Sequence, residues 1–283
     1  MGAARSVGRA GDAASLAHYE NPAYYQRTYS KRKHDIAYYV ELAGAVSEVL
    51  EYGIGNGRIA LPMARRGVRV TGVDLSQPML RDLEARLARE SVEVRARVEA
   101  LRGDMRRVRL GRRFQLVIAP FNVILHLYSL AEIEAFFARV REHLSDDGEF
   151  VLDVSVPAPE DLSGDSGRRY KGPPVRDPET GETLRYSEVF AYDPVRQILT
   201  VVAEFRGKDR QYWRVPLTQR QFFPAELEAL LYYNGFDDIR FEPDFASAPA
   251  ATDVDSLAIR CRLRQASAPT RSGGLYGSIR CVR

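Results

Sequence analysis

The run Val49-Leu50-Glu51-Tyr52-Gly53-Ile54-Gly55-Asn56-Gly57 constrains this 283-residue chain more than any other segment. A short strand pattern, Val46 to Tyr52, enters three alternating glycines, and these lead into a helical pattern from Ile59 to Arg66 that Gly67 stops. Glycines let the backbone approach a ligand closely, and a helix start presents N–H groups with no partner inside the helix. The next apolar run, Val68 to Val73, ends in Asp74, 21 residues after Gly53. That is where a strand-end carboxylate accepts both hydroxyls of a ribose. Gly55→Val is therefore expected to fill ligand space while barely changing the melting temperature. One local rule is broken: if the helix starts near Asn56, Pro62 lies past its first position and should bend it.

Strand and helix patterns go on alternating to residue 156. Ser76 caps a helix with Met79, Leu80, Leu83 and Leu87 on one face, and Val98 to Leu101 and Phe114 to Ala119 read as strands. Ser129 and Glu132 form a capping box, and the helix it opens is read to run as far as Gly148, with Phe150 to Val156 as the next strand. Such alternation means right-handed crossovers and an α/β fold, a mostly parallel sheet covered by helices on both faces. Residues 157–181 hold five of the 15 prolines and four glycines, a density that reads as a long surface loop. Leu184 to Tyr192, Ile198 to Phe205 and Gln211 to Leu217 follow as an antiparallel meander, an insertion on the sheet. Pro224 to Asn234 is a helix, with further strands near Ile239 and over Leu257 to Leu263. Residues 1–17 read as disordered, 18–265 as a single domain and 266–283 as a flexible tail.

Composition removes several classes of partner. Lys plus Arg is 41 and Asp plus Glu 38, and a net charge of +3 is too small for a phosphate-backbone binder, so no nucleic-acid partner is expected. Apolar runs fall short of the roughly 20 residues a membrane helix needs. Cys261 and Cys281 cannot build a disulfide framework, and a reducing, cytoplasmic setting is expected. The acid pairs Asp146-Asp147 and Asp237-Asp238 lack nearby histidines, so no metal site is expected.

Two details discriminate among nucleoside ligands. A dinucleotide fingerprint is Gly-x-Gly-x-x-Gly, and here the third glycine comes one residue early, at Gly57. Glu51, two residues before the first glycine, would repel a pyrophosphate and attract the α-ammonium of a methionyl group. Both favour S-adenosylmethionine over NAD. The motif then resembles that of the class I S-adenosylmethionine-dependent methyltransferases. Asp74-Leu75 is similar to their ribose-binding strand end, Gly103-Asp104-Met105 to their adenine-side motif, and Ala119-Pro120-Phe121-Asn122 to their fourth-strand motif. The likeness is close over 46–156 and looser over 224–263, and within the family it points to small-molecule enzymes such as glycine and amino-sugar N-methyltransferases. It implies a Rossmann-like seven-stranded sheet with a reversal at the C-terminal end, an antiparallel β insertion, and an N-terminal helical lid. The lid elements are 18–44 and 157–222. Implied cofactor contacts are Glu51, Gly53, Gly55, Asn56, Gly57, Asp74, Leu75, Met79, Asp104, Met105 and Pro120, with Phe121 and Asn122 toward the acceptor. The third position of the DNA amino-methyltransferase motif is Phe121 here and its first is Ala119, which counts against base methylation.

Six of the 15 tyrosines lie between positions 19 and 39. Aromatic faces suit a sulfonium cation and an Arg suits a methionyl carboxylate, which selects Tyr29 and Arg32 for the cofactor, Tyr24 for the acceptor and Tyr25 for catalysis. An amphipathic helix packing its aromatics on the sheet remains the alternative. His143, in the last turn of a helix, reads as solvated. His126 stands six residues after Pro120, just beyond the carboxyl end of a strand, either as a general base or as a packed structural ring. The expected function is methyl transfer to a nitrogen or oxygen of a small molecule. A non-catalytic nucleoside-binding module and an NAD(P) oxidoreductase are the rivals.

Overall fold

The computed structural model describes residues 16–163, 167–177, 180–208, 212–246 and 254–265. The expected disorder of residues 1–15 and the expected tail, 266–283, lie outside the described residues. Residues 16–18 are helical, contrary to the disorder expected of the last two residues of 1–17. The chain then forms α1 (Pro22–Tyr29), α2 (His34–Ala43), β1 (Glu48–Tyr52), α3 (Ala60–Arg65), β2 (Arg69–Asp74), α4 (Gln77–Leu87), α5 (Val92–Arg95), β3 (Val98–Arg102) and β4 (Phe114–Ala119). A 3-10 turn (Val123–His126) precedes α6 (Leu130–His143) and β5 (Leu144–Ser155).

The main sheet has seven strands in the order β11-β12-β5-β4-β1-β2-β3, where β11 is Phe236–Pro243 and β12 is Ser256–Leu263. Neighbours from β5 through β3 pair in parallel, while β12 runs antiparallel to both β5 and β11. It is an α/β, Rossmann-like sheet with a reversal at its C-terminal end. Alternate residues of each central strand feed opposite faces: Leu50, Val117 and Phe150 enter one apolar cluster, Val49, Leu116 and Val151 the other. Both faces are therefore apolar, the signature of a parallel sheet buried on two sides. The capping box of α6 forms as expected, and its buried stripe is Ile133, Phe136, Phe137 and Val140. Among the described residues no helix is long and apolar enough to cross a membrane.

Several local readings need correction. Helix α3 starts at Ala60, so Pro62 sits in the first turn, where its missing N–H is not needed, and no bend follows. Gly148 does not end a helix. Helix α6 stops at His143, and Gly148 lies inside β5, where a Cβ would come within 3.0 Å of the Phe114 carbonyl at the register shift between β4 and β5. His143 is not solvated but fully buried: the Leu110 N–H donates to its Nε2 (3.0 Å), which leaves Nδ1 to donate to the Tyr52 hydroxyl at 2.6 Å.

The stretch 157–181 is not a bare loop. It holds α7 (Pro159–Ser163), β6 (Arg169–Lys171) and β7 (Val175–Arg176), and the two strands pair on the free edge of the long strand β8 (Thr183–Asp193). With β9 (Ile198–Arg206) and β10 (Tyr212–Arg220), they make a second, antiparallel sheet with an apolar cluster of its own. Tyr24 of α1 joins that cluster, its ring 5.5 Å from Phe205. Helix α8 (Pro224–Tyr233) returns the chain to the main sheet through Leu227 and Leu231.

Candidate active site

A cleft of about 1040 Å³, measured to its open mouth, lies at the carboxyl ends of β1, β2 and β4. Open α/β sheets place their ligands there. The glycine turn forms its floor, tied to β2 by the Gly53 N–H to the Val73 carbonyl at 2.7 Å. Gly53 has φ +74°, and a Cβ there would lie 2.3 Å from Val123 Cγ2, so no other residue fits. Gly55 has φ +53° and room for a Cβ only 3.3 Å from Met79 Cε. This overturns the expectation that Gly55→Val spares the fold. A β-branched residue at that φ is strained by about 1–3 kcal/mol, so the variant should lose melting temperature together with ligand affinity. Calorimetry of the folded protein checks both; an unchanged melting temperature would contradict the strain.

The two acidic residues of the motifs face the cleft in different states. Asp74 braces the turn, accepting the Gly55 N–H at 2.7 Å and the Ser76 N–H at 2.8 Å. Burial raises its pKa, opposed by those N–H donors. Glu51 is 2 % exposed, and its Oε2 has no hydrogen-bond partner. Burial pushes its pKa well above the carboxylate range, with Arg58 acting against that shift and Asp74 adding to it. Leaving a buried acceptor unpaired costs about 1–3 kcal/mol. A hydrogen-bond partner is what this oxygen lacks. Asn56 is similar on a smaller scale: its Nδ2 donates to Asp82 (3.0 Å) while its buried Oδ1 is unpartnered. Asp104 is clamped by Arg106, whose Nε lies 2.9 Å from Oδ1. Desolvation opposes ionisation there, but the Arg106 hydrogen bonds win and hold its pKa below the usual value.

Aromatic groups close the other side. Tyr25, Tyr19 and Phe121 line the cleft, with Tyr25 ring centroids 5.8 Å from Tyr19 and 6.1 Å from Phe121. The Tyr19 hydroxyl lies 2.9 Å from His126 Nε2. Desolvation drops the His126 pKa to about 4, opposed by a hydrogen bond to the Thr218 backbone. With its ring donating to that backbone, Nε2 is the acceptor for Tyr19.

Leu75, Met79, Met105 and Pro120 also line the cleft, as expected, but five other expected residues do not. Tyr24 turns to the second sheet, and the Tyr29 hydroxyl lies 2.9 Å from His18 Nε2. Arg32 is held outside by Asp35 and Asp153, both at 3.4 Å. A Cβ at Gly57 would strike Leu83, because that glycine faces the helices and not the cleft. Asn122 is occupied with Ser155, accepting its N–H at 2.7 Å. Sequence reasoning missed Tyr19 and Arg58. Arg58 lines the cleft, bonds both oxygens of buried Asp35 (3.0 and 2.5 Å) and stands 4.5 Å from the Phe121 ring centroid. Among the described residues no cluster of three or more metal-ligating side chains occurs.

Comparison with known proteins identifies part of the chain. Residues 49–148 match the family described as a methyltransferase domain. The solved CcbJ methyltransferase of Streptomyces caelestis is 25 % identical, with a TM-score of 0.71 over 82 % of this chain and 90 % of that one. Residues 49–148 are a methyltransferase domain. It is also 32 % identical to the cypemycin N-terminal methyltransferase of a Streptomyces species, over 46 % of this chain and 50 % of that protein. An amino pentose methyltransferase from Micromonospora echinaspora shares the fold of this methyltransferase domain, with a TM-score of 0.64 at 22 % identity over 84 % of this chain and 96 % of that one. The chain spans 41 % and 50 % of the length of the curated relatives it matches.

Proposed function

We propose that this domain transfers the methyl group of S-adenosylmethionine to a nitrogen of a small-molecule acceptor. The lone buried carboxyl of Glu51 at the glycine turn carries the reading, because it calls for a cation where a methionyl ammonium would lie. When bound, S-adenosylmethionine supplies a methyl group on a cationic sulfonium, an electrophile that needs little further activation. Glu51 would hold the ammonium, Asp74 the ribose hydroxyls, and Asp104 the adenine side. Tyr19, Tyr25 and Phe121 exclude water and offer aromatic faces to positive charge.

The acceptor side favours nitrogen over oxygen. His126 is neutral near pH 7 and too weak a base to draw the proton from an alcohol. A neutral amine needs no such help before it attacks and sheds its proton afterwards. The Tyr19–His126 pair can orient the amine N–H, and the proton shed afterwards passes to solvent. The relatives' names, an amino pentose methyltransferase and an N-terminal methyltransferase, support the same choice of atom. Residues 18–265 are treated as one working unit, because α1 sends Tyr25 to the cleft and Tyr24 to the second sheet.

His126→Asn should lower the rate of methyl transfer by up to about 10²-fold, the scale of a misplaced reacting group, while cofactor affinity stays within twofold. A full-rate variant would reduce His126 to a packed ring. Titration calorimetry tests the proposal as a whole: S-adenosylmethionine and S-adenosylhomocysteine should bind and NAD should not. Heat from NAD alone would support the oxidoreductase reading. Binding without S-adenosylhomocysteine release across a panel of amines and alcohols would support a non-catalytic module.

A further inference from the structure

A second groove lies behind the glycine turn, walled by the segment 30–33 and α2 on one side and by α3 and α4 on the other. Every ionisable side chain of ordinary charge at neutral pH that lines it is a cation: Arg32, Lys33, Arg58, Arg65, Arg66 and Arg86. Four of these already have carboxylate partners. Arg32 and Arg58 share Asp35, Arg65 meets Glu90, and Arg86 meets Asp82 at 2.8 Å. Lys33 and Arg66 have none among the described residues, and they belong to opposite walls. Lys33 is also the N-cap of α2 with no side-chain cap of its own, and the first-turn Asp35 accepts the Ile36 N–H at 2.9 Å.

The same groove is lined by the apolar side chains of Ile36, Val40 and Leu61. A purely polar anion would use the charges and waste the apolar lining, and an apolar molecule would do the reverse. We propose that this groove binds a soluble amphiphilic anion, a phosphate or carboxylate head on a short apolar body, with Lys33 and Arg66 as the cations open to such a head. The groove adjoins the methyl-transfer cleft, with Arg58 lining both, and its proposed occupant does not depend on methyl transfer. Its occupant ties the segment between α1 and α2 to α3, directly behind the turn that holds Glu51.

The test is titration calorimetry on the full chain at low salt, with hexyl phosphate, inorganic phosphate and n-hexanol as probes. Hexyl phosphate should bind about tenfold more tightly than inorganic phosphate, and hexanol should give no saturable heat. Lys33→Gln/Arg66→Gln should weaken hexyl phosphate by about tenfold, with an unchanged melting temperature, since both side chains are exposed. Equal affinity in the native chain and the double variant overturns the assignment, as does absence of heat up to about 10 mM hexyl phosphate. Sedimentation of the protein with phosphatidylglycerol vesicles, but not phosphatidylcholine vesicles, without hexyl phosphate binding, also overturns it and assigns the basic face to a membrane surface.

Discussion

Glu51→Gln should cost S-adenosylmethionine about 10- to 150-fold in affinity, the value of a charge-assisted hydrogen bond of about 1.5–3 kcal/mol. The same substitution should make the ligand-free protein more stable, and this pairing of opposite effects is the diagnostic. Glu51 is buried with an unpartnered oxygen, and its pKa is raised by that burial. Folding therefore favours its protonated form, so stability is intact below the unfolded carboxyl pKa and falls as pH rises through the raised folded value. Gln keeps the shape and never ionises, so the variant should lack this loss. Affinity for the cofactor in the native protein should strengthen across the same rise in pH, because the ammonium pairs with the ionised form. Calorimetry and thermal unfolding from pH 5 to 9 measure both. A variant that binds normally would remove Glu51 from the site, and one that is less stable at every pH would make the carboxyl a structural group.

The site residues legible in the sequence share one property: their role is set by neighbours close in the chain. The glycine turn, Glu51 and Asp74 belong to two consecutive strand ends, and parallel pairing of β1 with β2 brings them together. The capping box of α6 is local in the same way. Arg58 was missed although it directly follows Gly57, because its meaning comes from Asp35, 23 residues earlier on α2. His143 was misread for a similar reason. A helix end near acidic residues looks wet, but β5 starts at the next residue and Leu110 and Tyr52 cover the ring. Tyr24 and Tyr25 are adjacent and equally aromatic, yet a turn of about 100° per residue along α1 sends one to each side. Only the position of the second sheet decides which. The short strands of 157–181 were invisible because their pairing needs the edge of β8, which no local pattern announces.

Arg58→Met should destabilise the fold by about 3–5 kcal/mol, the cost of stranding a buried charge. Asp35 and Asp153 are both fully buried, and among the described residues only Arg58 and Arg32 form ion pairs with them. Arg32 is the weaker partner, at 3.4 Å from each carboxylate, whereas Arg58 makes a two-pronged contact with Asp35. The network holds more than charge. Asp153 accepts the Phe121 N–H and the Tyr39 hydroxyl, each at 2.7 Å, and so fixes a pair of residues in left-handed conformation, Phe121 at φ +59° and Asn122 at φ +65°. Non-glycine residues in that region cost about 1–3 kcal/mol each and persist only when their surroundings enforce it. Both guanidinium groups lie within 5 Å of the Phe121 ring centroid, so this ring of the cleft wall depends on the same ion pairs. The double substitution Arg58→Met/Asp35→Asn should recover part of the loss, because it removes the stranded carboxylate as well as its partner. Urea unfolding of the four proteins gives the coupling energy directly. A single-variant cost below about 1 kcal/mol would mean that water screens these carboxylates as it does surface pairs, and the wall of the cleft would then have to be held by packing alone.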